Sequence, residues 1–505
     1  MARHFLYKSP DELIKNCERL GASSIGLELN PEQVKTVLAR KVDIGKFRLG
    51  NSIAIHPMEG CDGTLDGRPG ELTWRRYERF AQGGAKLIWF EATAVCENGR
   101  ANTRQLWLNE RNVDHFARLL DHLERVHREQ CGSCDDLLVP VQLTHSGRYS
   151  VPQPTLAYHS PLIDERTHTS ADTPVISDDE LERLEDDYVA AGRLALQAGF
   201  RAVDLKVTHG YLLSELMGAK QREGRYGGSL ENRTRFVRNV MGKFRAEFGA
   251  KLLLAMRLGC YDGVPYSPGT EDRTGVPLAY SLPYRHGFGV DESNPLEEDL
   301  SEVKRAIAIY RESGLELLNV SLGSPYYDPH IVRPYELPDE GNYEQPEHPL
   351  LGVNRHFRIA GELQRTFPDL PMVGSGYSWL QTYCINAAAH NIADGNIRIF
   401  GLGRGSLAYP GFARDAIEFG TLDPLQVCKT LSFCTYLMRQ KDHPLGQWPT
   451  GCPPFDKEVY GPLIKEARLS RRVRSANQSD SGSPPVEVSV ENAQPSRGNT
   501  PAARS

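Results

Sequence analysis

Apolar residues along this chain fall into short, strongly apolar or alternating runs separated by longer amphipathic stretches. The short runs are Ser52–His56, Lys86–Glu91, Leu137–Thr144, Ala202–Thr208, Leu252–Leu258, Leu315–Ser321, Pro371–Gly374 and Ile397–Leu402. Each has the length and apolar content of a buried strand. Helical periodicity fills the gaps at Thr73–Gln82, Asp114–Arg128, Asp178–Gln197, Glu231–Glu247, Leu300–Glu312, Arg355–Arg365 and Trp379–Ala389. The helix at Asp178 opens with acids after Ser177, an N-terminal cap signal, and stops at Gly199. Eight strands alternating with helices predict an α/β fold of the (β/α)8, or TIM, barrel class. The Gly-rich first turn of a doubly wound sheet is missing.

Two segments break the alternation. Gly259–Asn294 and Gly323–Pro349 are long, rich in Pro and Tyr, and follow the fifth and sixth strands. Both belong on the carboxyl face of the barrel, where loops carry binding and catalysis. Residues 1–45 read as a lead-in with one or two short helices, 46–425 as the barrel and 426–469 as an extension. From 470 to 505 the chain is polar and small-residue-rich, with too little apolar surface to build a core, and is expected to be disordered.

Composition narrows the function. The net charge of −6 argues against a nucleic-acid partner, since phosphate binding needs a basic face. No apolar run reaches the length of a membrane span, and no secretory signal follows the N-terminus. Ten cysteines at irregular spacing fit a reducing compartment, hence the cytoplasm. The lone Cys131-Gly-Ser-Cys134 has no second pair to complete a zinc site, and no metal is expected. A small-molecule substrate is the expected partner, and a homo-oligomer is left open.

Chemistry concentrates where the fourth strand ends. Alternation puts Val203, Leu205 and Val207 outward and Asp204, Lys206 and Thr208 into the barrel. His209 and Tyr211 then lie at its mouth. Three proton donors of different pKa thus fall within six residues at the carboxyl end of a strand.

His209-Gly-Tyr-Leu-Leu is followed by Tyr226-Gly-Gly-Ser-Leu-Glu-Asn-Arg233. Asn51–Met58, Gln142-Leu-Thr-His-Ser-Gly-Arg148, Ala198–Asp204 and Gly401-Leu-Gly-Arg404 complete a set of motifs. In this order they resemble the old yellow enzyme family of FMN-dependent NADH:flavin oxidoreductases, over about residues 45–425. The chain is most similar to the branch holding 2,4-dienoyl-CoA reductase and trimethylamine dehydrogenase, although 505 residues leave no room for that branch's C-terminal nucleotide-binding region. Of its four-cysteine cluster only Cys428, Cys434 and Cys452 remain, too few for a four-iron centre.

The resemblance implies FMN as cofactor, with NADH or NADPH as electron donor. It makes Tyr211 the proton donor and Lys206 and His209 the pair that clamps a substrate carbonyl. Lys206 stands where the family has an imidazole or amide. It either suits an anionic or strongly polarised acceptor or pairs with Asp204. Pro57, Met58 and Glu59 match the segment that cradles the flavin, and Ala92 the small residue that lets it approach. Gln142 matches an amide at the ring edge, and Arg257 a cation beside the pyrimidine. Gly374, Gly376, Gly403 and Arg404 lie after strands seven and eight, where barrels of this class bind phosphate. Glu59 replaces a Thr or Cys, so its carboxyl must either have a raised pKa or turn to a basic partner. His145 and Arg148 are substrate-loop residues or supports.

The expected reaction is NAD(P)H-driven reduction of an activated C=C bond. Amine or alcohol oxidation is the alternative within the family, and a flavin-binding scaffold without activity is the alternative outside catalysis.

Overall fold

The computed structural model describes residues 4–480. All eight anticipated strands are present and parallel. They are β1 Ile53–Ile55, β2 Leu87–Ile88 with Phe90–Ala94, β3 Pro140–Thr144, β4 Ala202–Val207, β5 Leu253–Gly259, β6 Leu317–Ser321, β7 Met372–Gly374 and β8 Ile399–Leu402. Each pairs with the next, and β8 pairs with β1, at Leu402 opposite Ile55. The ring closes through β2, which is broken at Trp89. Its first half pairs with β1 and its second half with β3. At the break the Trp89 backbone N–H donates to Ile55 and its indole N–H to Asp204, inside the barrel.

The interior is graded from bottom to top because inward residues alternate along each strand. On β4 they read Ala202, Asp204, Lys206, and on β6 Leu317, Asn319, Ser321. At the amino end Ala202, Leu253, Ala255, Leu317, Val373 and Ile399 pack with Trp89 into an apolar plug. A hairpin of Val42–Ile44 and Phe47–Leu49 caps this plug with Val42, Ile44 and Leu49. The sequence boundary at 45/46 therefore cuts through an element that belongs to the barrel floor. The outward residues Val203, Leu205 and Val207 join the large core beneath the helices.

The helix at Asp178–Gln197 has the predicted limits, and Ser177 and Glu180 form its capping box. The predicted Glu231–Glu247 helix is two, Leu230–Arg233 and Arg235–Phe248. The predicted Trp379–Ala389 helix starts as a 3-10 turn and kinks at Gln381, where φ is +52°, before Cys384–Ala393.

The two long loops carry their own structure. Tyr266–Pro268 and Gly275–Pro277 form a hairpin that hydrogen-bonds to the second loop at Tyr327 and Glu344. Beneath it the Tyr343 hydroxyl meets His330 Nδ1 at 2.8 Å and the Tyr335 hydroxyl donates to the Tyr343 carbonyl at 2.8 Å. The segment after the barrel ends in a helix, Lys457–Asp480, so eleven residues of the expected disordered tail, 470–480, are helical. The remainder of that expectation, 481–505, lies outside the described residues.

A buried ionic triad fixes the loop after β1. Arg76 contacts Asp62 Oδ2 and Glu91 Oε1, each at 2.5 Å, and the Gly60 N–H donates to the other Glu91 oxygen at 2.7 Å. A Cβ on Gly60 would lie 2.1 Å from the Arg76 guanidinium, so only glycine fits the loop there. Removing one member of a buried ion pair leaves an uncompensated charge. Arg76→Met, which strands two carboxylates, should lower stability by about 3–5 kcal/mol. Urea unfolding checks this: the midpoint should fall with little change in slope.

Candidate active site

The site begins with Asp204, wholly buried in the barrel. Its Oδ2 accepts from Trp89 Nε1 at 2.8 Å and Gln142 Nε2 at 2.6 Å, and its Oδ1 from the Arg257 backbone N–H at 2.6 Å. Burial pushes its carboxyl up to about 6 against these donors. The residues predicted at the flavin ring edge, Gln142 and Arg257, are thus both held by one carboxylate. The Gln142 amide nitrogen is committed to it, which leaves the amide oxygen to face a ligand.

One pleat higher, Lys206 and Arg257 sit side by side in register. Arg257 is 9% exposed and its Nε is buried without a partner. Burial draws its pKa down to about 10, so it remains a cation. A fixed, unpaired guanidinium in a protein interior demands an anionic or polar ligand. Among the described residues no ion pair joins Lys206 to Asp204, although Asp204 acts with Glu59 to hold up the Lys206 pKa. Its ammonium lies 3.6 Å from the centre of the Tyr211 ring, a cation–π contact. Burial, opposed by Glu59, draws Lys206 down to about 7.

Tyr211 is 1% exposed, and its hydroxyl lies 2.9 Å from that of Tyr326. His209 adopts φ +68°, followed by Gly210 at +70°, so the chain turns sharply off the strand and aims the imidazole over the barrel mouth. His209 Nε2 meets Ser321 Oγ at 3.4 Å. Burial, with Arg257 and Lys206 alongside, holds His209 well below its ordinary value, hence neutral. Glu59 accepts from Asn102 Nδ2 at 2.8 Å and lies beside Lys206 and Tyr211; burial raises its pKa. Both outcomes expected for Glu59 meet here: burial raises its pKa, and the basic Lys206 beside it opposes the rise.

The sequence left His145 and Arg148 undecided; Arg148 is tied into the scaffold. Arg148 binds Glu215 Oε1, Asp164 and the Tyr158 carbonyl, tying the loop after β3 to the helix after Tyr211. His145 Nδ1 accepts from the Gly147 N–H at 3.1 Å.

A second half of the site gathers beyond β7 and β8. Gly376 has φ +93° and Gly403 backs onto Met58, 3.7 Å from where its Cβ would be, so the loops after β1 and β8 meet. Gly374 packs on Ile397 and Tyr377, Ala92 is buried on β2, and Pro57 is buried just after β1. Arg404 donates to the Pro334 carbonyl at 2.7 Å, yet its Nη1 is buried without a partner. Arg333, in the loop after β6, also has a buried, unpartnered Nη1. The two guanidiniums lie near enough that Arg333 helps lower the pKa of Arg404. Like charges held together beside glycine-rich turns constitute an anion site. These orphaned donors fit an anionic cofactor with a phosphate at one end and an electron-accepting ring at the other.

Sequence reasoning missed Arg333, Tyr326, Asn102 and His56. His56 bridges Asn319 at 3.1 Å and Ser375 at 3.2 Å beneath the same cleft. Its place directly before Pro57, at the end of β1, was the available signal. Arg333 and Tyr326 lie in a loop with no periodicity to rank them. Among the described residues no group of three His, Cys, Asp or Glu side chains is arranged to hold a metal ion, and no helix is long and apolar enough to cross a membrane.

Residues 39–274 match the model of the NADH:flavin oxidoreductase / NADH oxidase family. An NADPH dehydrogenase of Geobacillus sp. (strain WCH70) is 30% identical over 260 residues, 48% of this chain and 72% of that protein. Among solved structures, the old yellow enzyme homologue of Zymomonas mobilis superposes with a TM-score of 0.54 at 21% identity, over 76% of this chain and 94% of its own. A 2-naphthoyl-CoA reductase complex superposes with a TM-score of 0.62 at 16% identity, over 86% of this chain and 58% of that longer one. These structural likenesses establish the barrel fold.

Charge-assisted hydrogen bonds to phosphate contribute about 1.5–3 kcal/mol each. For a phosphate-bearing cofactor such as FMN, Arg333→Ala and Arg404→Ala should therefore each weaken binding by roughly 10- to 100-fold, measured by quenching of flavin fluorescence. Riboflavin, which lacks the phosphate, should bind both variants as it binds the unaltered protein.

Proposed function

We infer that this chain, which belongs to the NADH:flavin oxidoreductase / NADH oxidase family, is an FMN-dependent ene-reductase driven by NADH or NADPH. The observation that carries the reading is the cluster at the end of β4. There a buried tyrosine hydroxyl, a neutral imidazole and an ammonium converge beside the unpaired Arg257. FMN, when bound, supplies the hydride.

Arg257 and the Gln142 amide oxygen would meet the polar edge of the flavin, Ala92 and the Pro57–Glu59 backbone would flank it, and Arg333, Arg404 and the loops at Gly374, Gly376 and Gly403 would take its phosphate. Lys206 and His209 would donate to the carbonyl oxygen of an α,β-unsaturated substrate, where negative charge gathers as the double bond is reduced. Tyr211 would then give its proton to the α-carbon. Burial, with Tyr326 and Glu59 alongside, holds the Tyr211 hydroxyl well above its ordinary value and so favours its protonated form.

We place the chain nearest the 2,4-dienoyl-CoA reductase and trimethylamine dehydrogenase branch. Cys428, Cys434 and Cys452 support this, lying close enough that the first two raise the thiol pKa of the third. The substrate is a small molecule admitted between the two long loops.

The direct test is anaerobic. The purified protein should carry FMN, bleach with NADPH or NADH, and recover its colour with a simple enone. A protein that cannot be loaded with FMN would overturn the reading. Recovery of colour only with an external electron acceptor, and bleaching by an amine, would favour the dehydrogenase alternative. Tyr211→Phe should slow the enone step by roughly 100-fold or more and leave flavin reduction nearly unchanged. The Lys206 ammonium exists below its pKa of about 7 and is lost above it. The enone step should therefore decline as pH rises through about 7, and Lys206→Met should remove that limb of the profile.

A further inference from the structure

Tyr211 is buried at the floor of the cleft and must regain a proton after every turnover. Its ring lies against the Lys206 ammonium, and Glu59 also interacts with its hydroxyl. The other hydroxyl at hydrogen-bond distance is that of Tyr326, at 2.9 Å. Tyr326 is partly exposed, whereas Tyr211 is not. We propose that Tyr326 is the positioning and relay residue of Tyr211: it orients the Tyr211 hydroxyl and returns a proton to it from solvent. The proposal rests on the ene-reductase reading, in which Tyr211 is the acid.

The local structure is built to hold this contact. Tyr326 stacks on Tyr149 with ring centres 4.0 Å apart and an interplanar angle of 23°, and lies nearly parallel to Tyr211 at 6.1 Å. The Ser324 hydroxyl donates to the His209 carbonyl at 3.2 Å and accepts from the Tyr326 N–H at 3.3 Å. One turn of the loop after β6 therefore fixes Tyr326 against the carbonyl clamp and the proton donor together. Arg439 donates to the Pro325 carbonyl from the far side. The groups facing Tyr326 are Tyr211 after β4, Tyr149 after β3, Glu59 and Cys61 after β1, and Arg439 from the extension. Among the described residues, of these groups only Tyr211 hydrogen-bonds to its hydroxyl.

The proton balance closes. The Tyr211 O–H bond breaks as the substrate C–H bond forms. The Tyr326 O–H bond breaks as the Tyr211 O–H bond re-forms, and Tyr326 takes its proton from water. One solvent proton is consumed per hydride delivered. A phenol can both donate and accept, which the relay requires and a phenylalanine ring cannot supply.

The experiment follows the two half-reactions of the FMN-loaded protein by anaerobic stopped flow, with NADPH and then 2-cyclohexen-1-one, in H2O and D2O and across pH. Tyr326→Phe keeps the stacked ring. It should leave flavin reduction within about twofold, slow the enone step roughly tenfold, enlarge its solvent isotope effect and displace its pH profile. Tyr326→His restores a proton-carrying ring and should recover part of the rate. Tyr149→Phe removes a hydroxyl that has no partner and should behave as the unaltered protein. A Tyr326→Phe protein with unaltered rate, isotope effect and pH profile, alongside a slow Tyr211→Phe, overturns the relay and leaves the ene-reductase reading standing. A Tyr211→Phe protein as fast as the unaltered one instead overturns the reading beneath it.

Discussion

One carboxylate organises this barrel. Asp204 accepts three hydrogen bonds, from the indole that breaks β2, the amide of β3 and the backbone of β5. A buried carboxylate is costly unless its lone pairs are filled, and here the donors that fill them are the residues that frame the site. The break at Trp89, the orientation of Gln142 and the height of Arg257 all follow from satisfying that one group. Above Asp204 the interior changes from apolar packing to unpaired cations. The change happens within one pleat, because inward positions are two residues apart.

The upper layer is built from groups that the fold deliberately leaves unsatisfied. Among the described residues Arg257 Nε, Arg333 Nη1 and Arg404 Nη1 are buried without partners, whereas each guanidinium nitrogen of Arg148 elsewhere is bonded to a carboxylate or a carbonyl. Arg257 and Arg404 join no ion pair among these residues, which sets them apart from Arg76 and Arg148. Lys206 and His209 have depressed pKa values because both are buried, with the Arg257 guanidinium alongside.

Much of this was legible in the sequence because it depends on local repetition. Val203, Leu205 and Val207 alternate with Asp204 and Lys206, so one strand reported both its core face and its chemistry. Ser177 with Glu180 marked a helix start that the structure reproduces. What remained hidden depends on contacts between distant segments. Trp89 lies in an uninterrupted apolar run, and only its indole partner on β4 shows why the strand breaks there. Arg333 and Tyr326 belong to a loop whose shape is set by the neighbouring loop and by Arg439, more than a hundred residues onward. The floor hairpin at Val42–Leu49 was missed because three-residue strands leave no periodic signature.

The extension after the barrel ties together loops that the barrel alone would leave separate. The Thr450 N–H donates to the Gly60 carbonyl after β1, Thr103 and Arg104 after β2 donate to the Leu445 and Gln447 carbonyls, and Ser432 and Arg439 bind Leu337 and Pro325 after β6. Asp456 adds ion pairs to Arg75 and Arg79, each at 2.6 Å. A single peptide segment thus spans the rim like a hoop. Opening any one of these three loops strains the other two, so a guest seated beneath them leaves only when the hoop itself loosens. Residence time in this cleft is therefore governed by the cohesion of a segment that contributes no catalytic group.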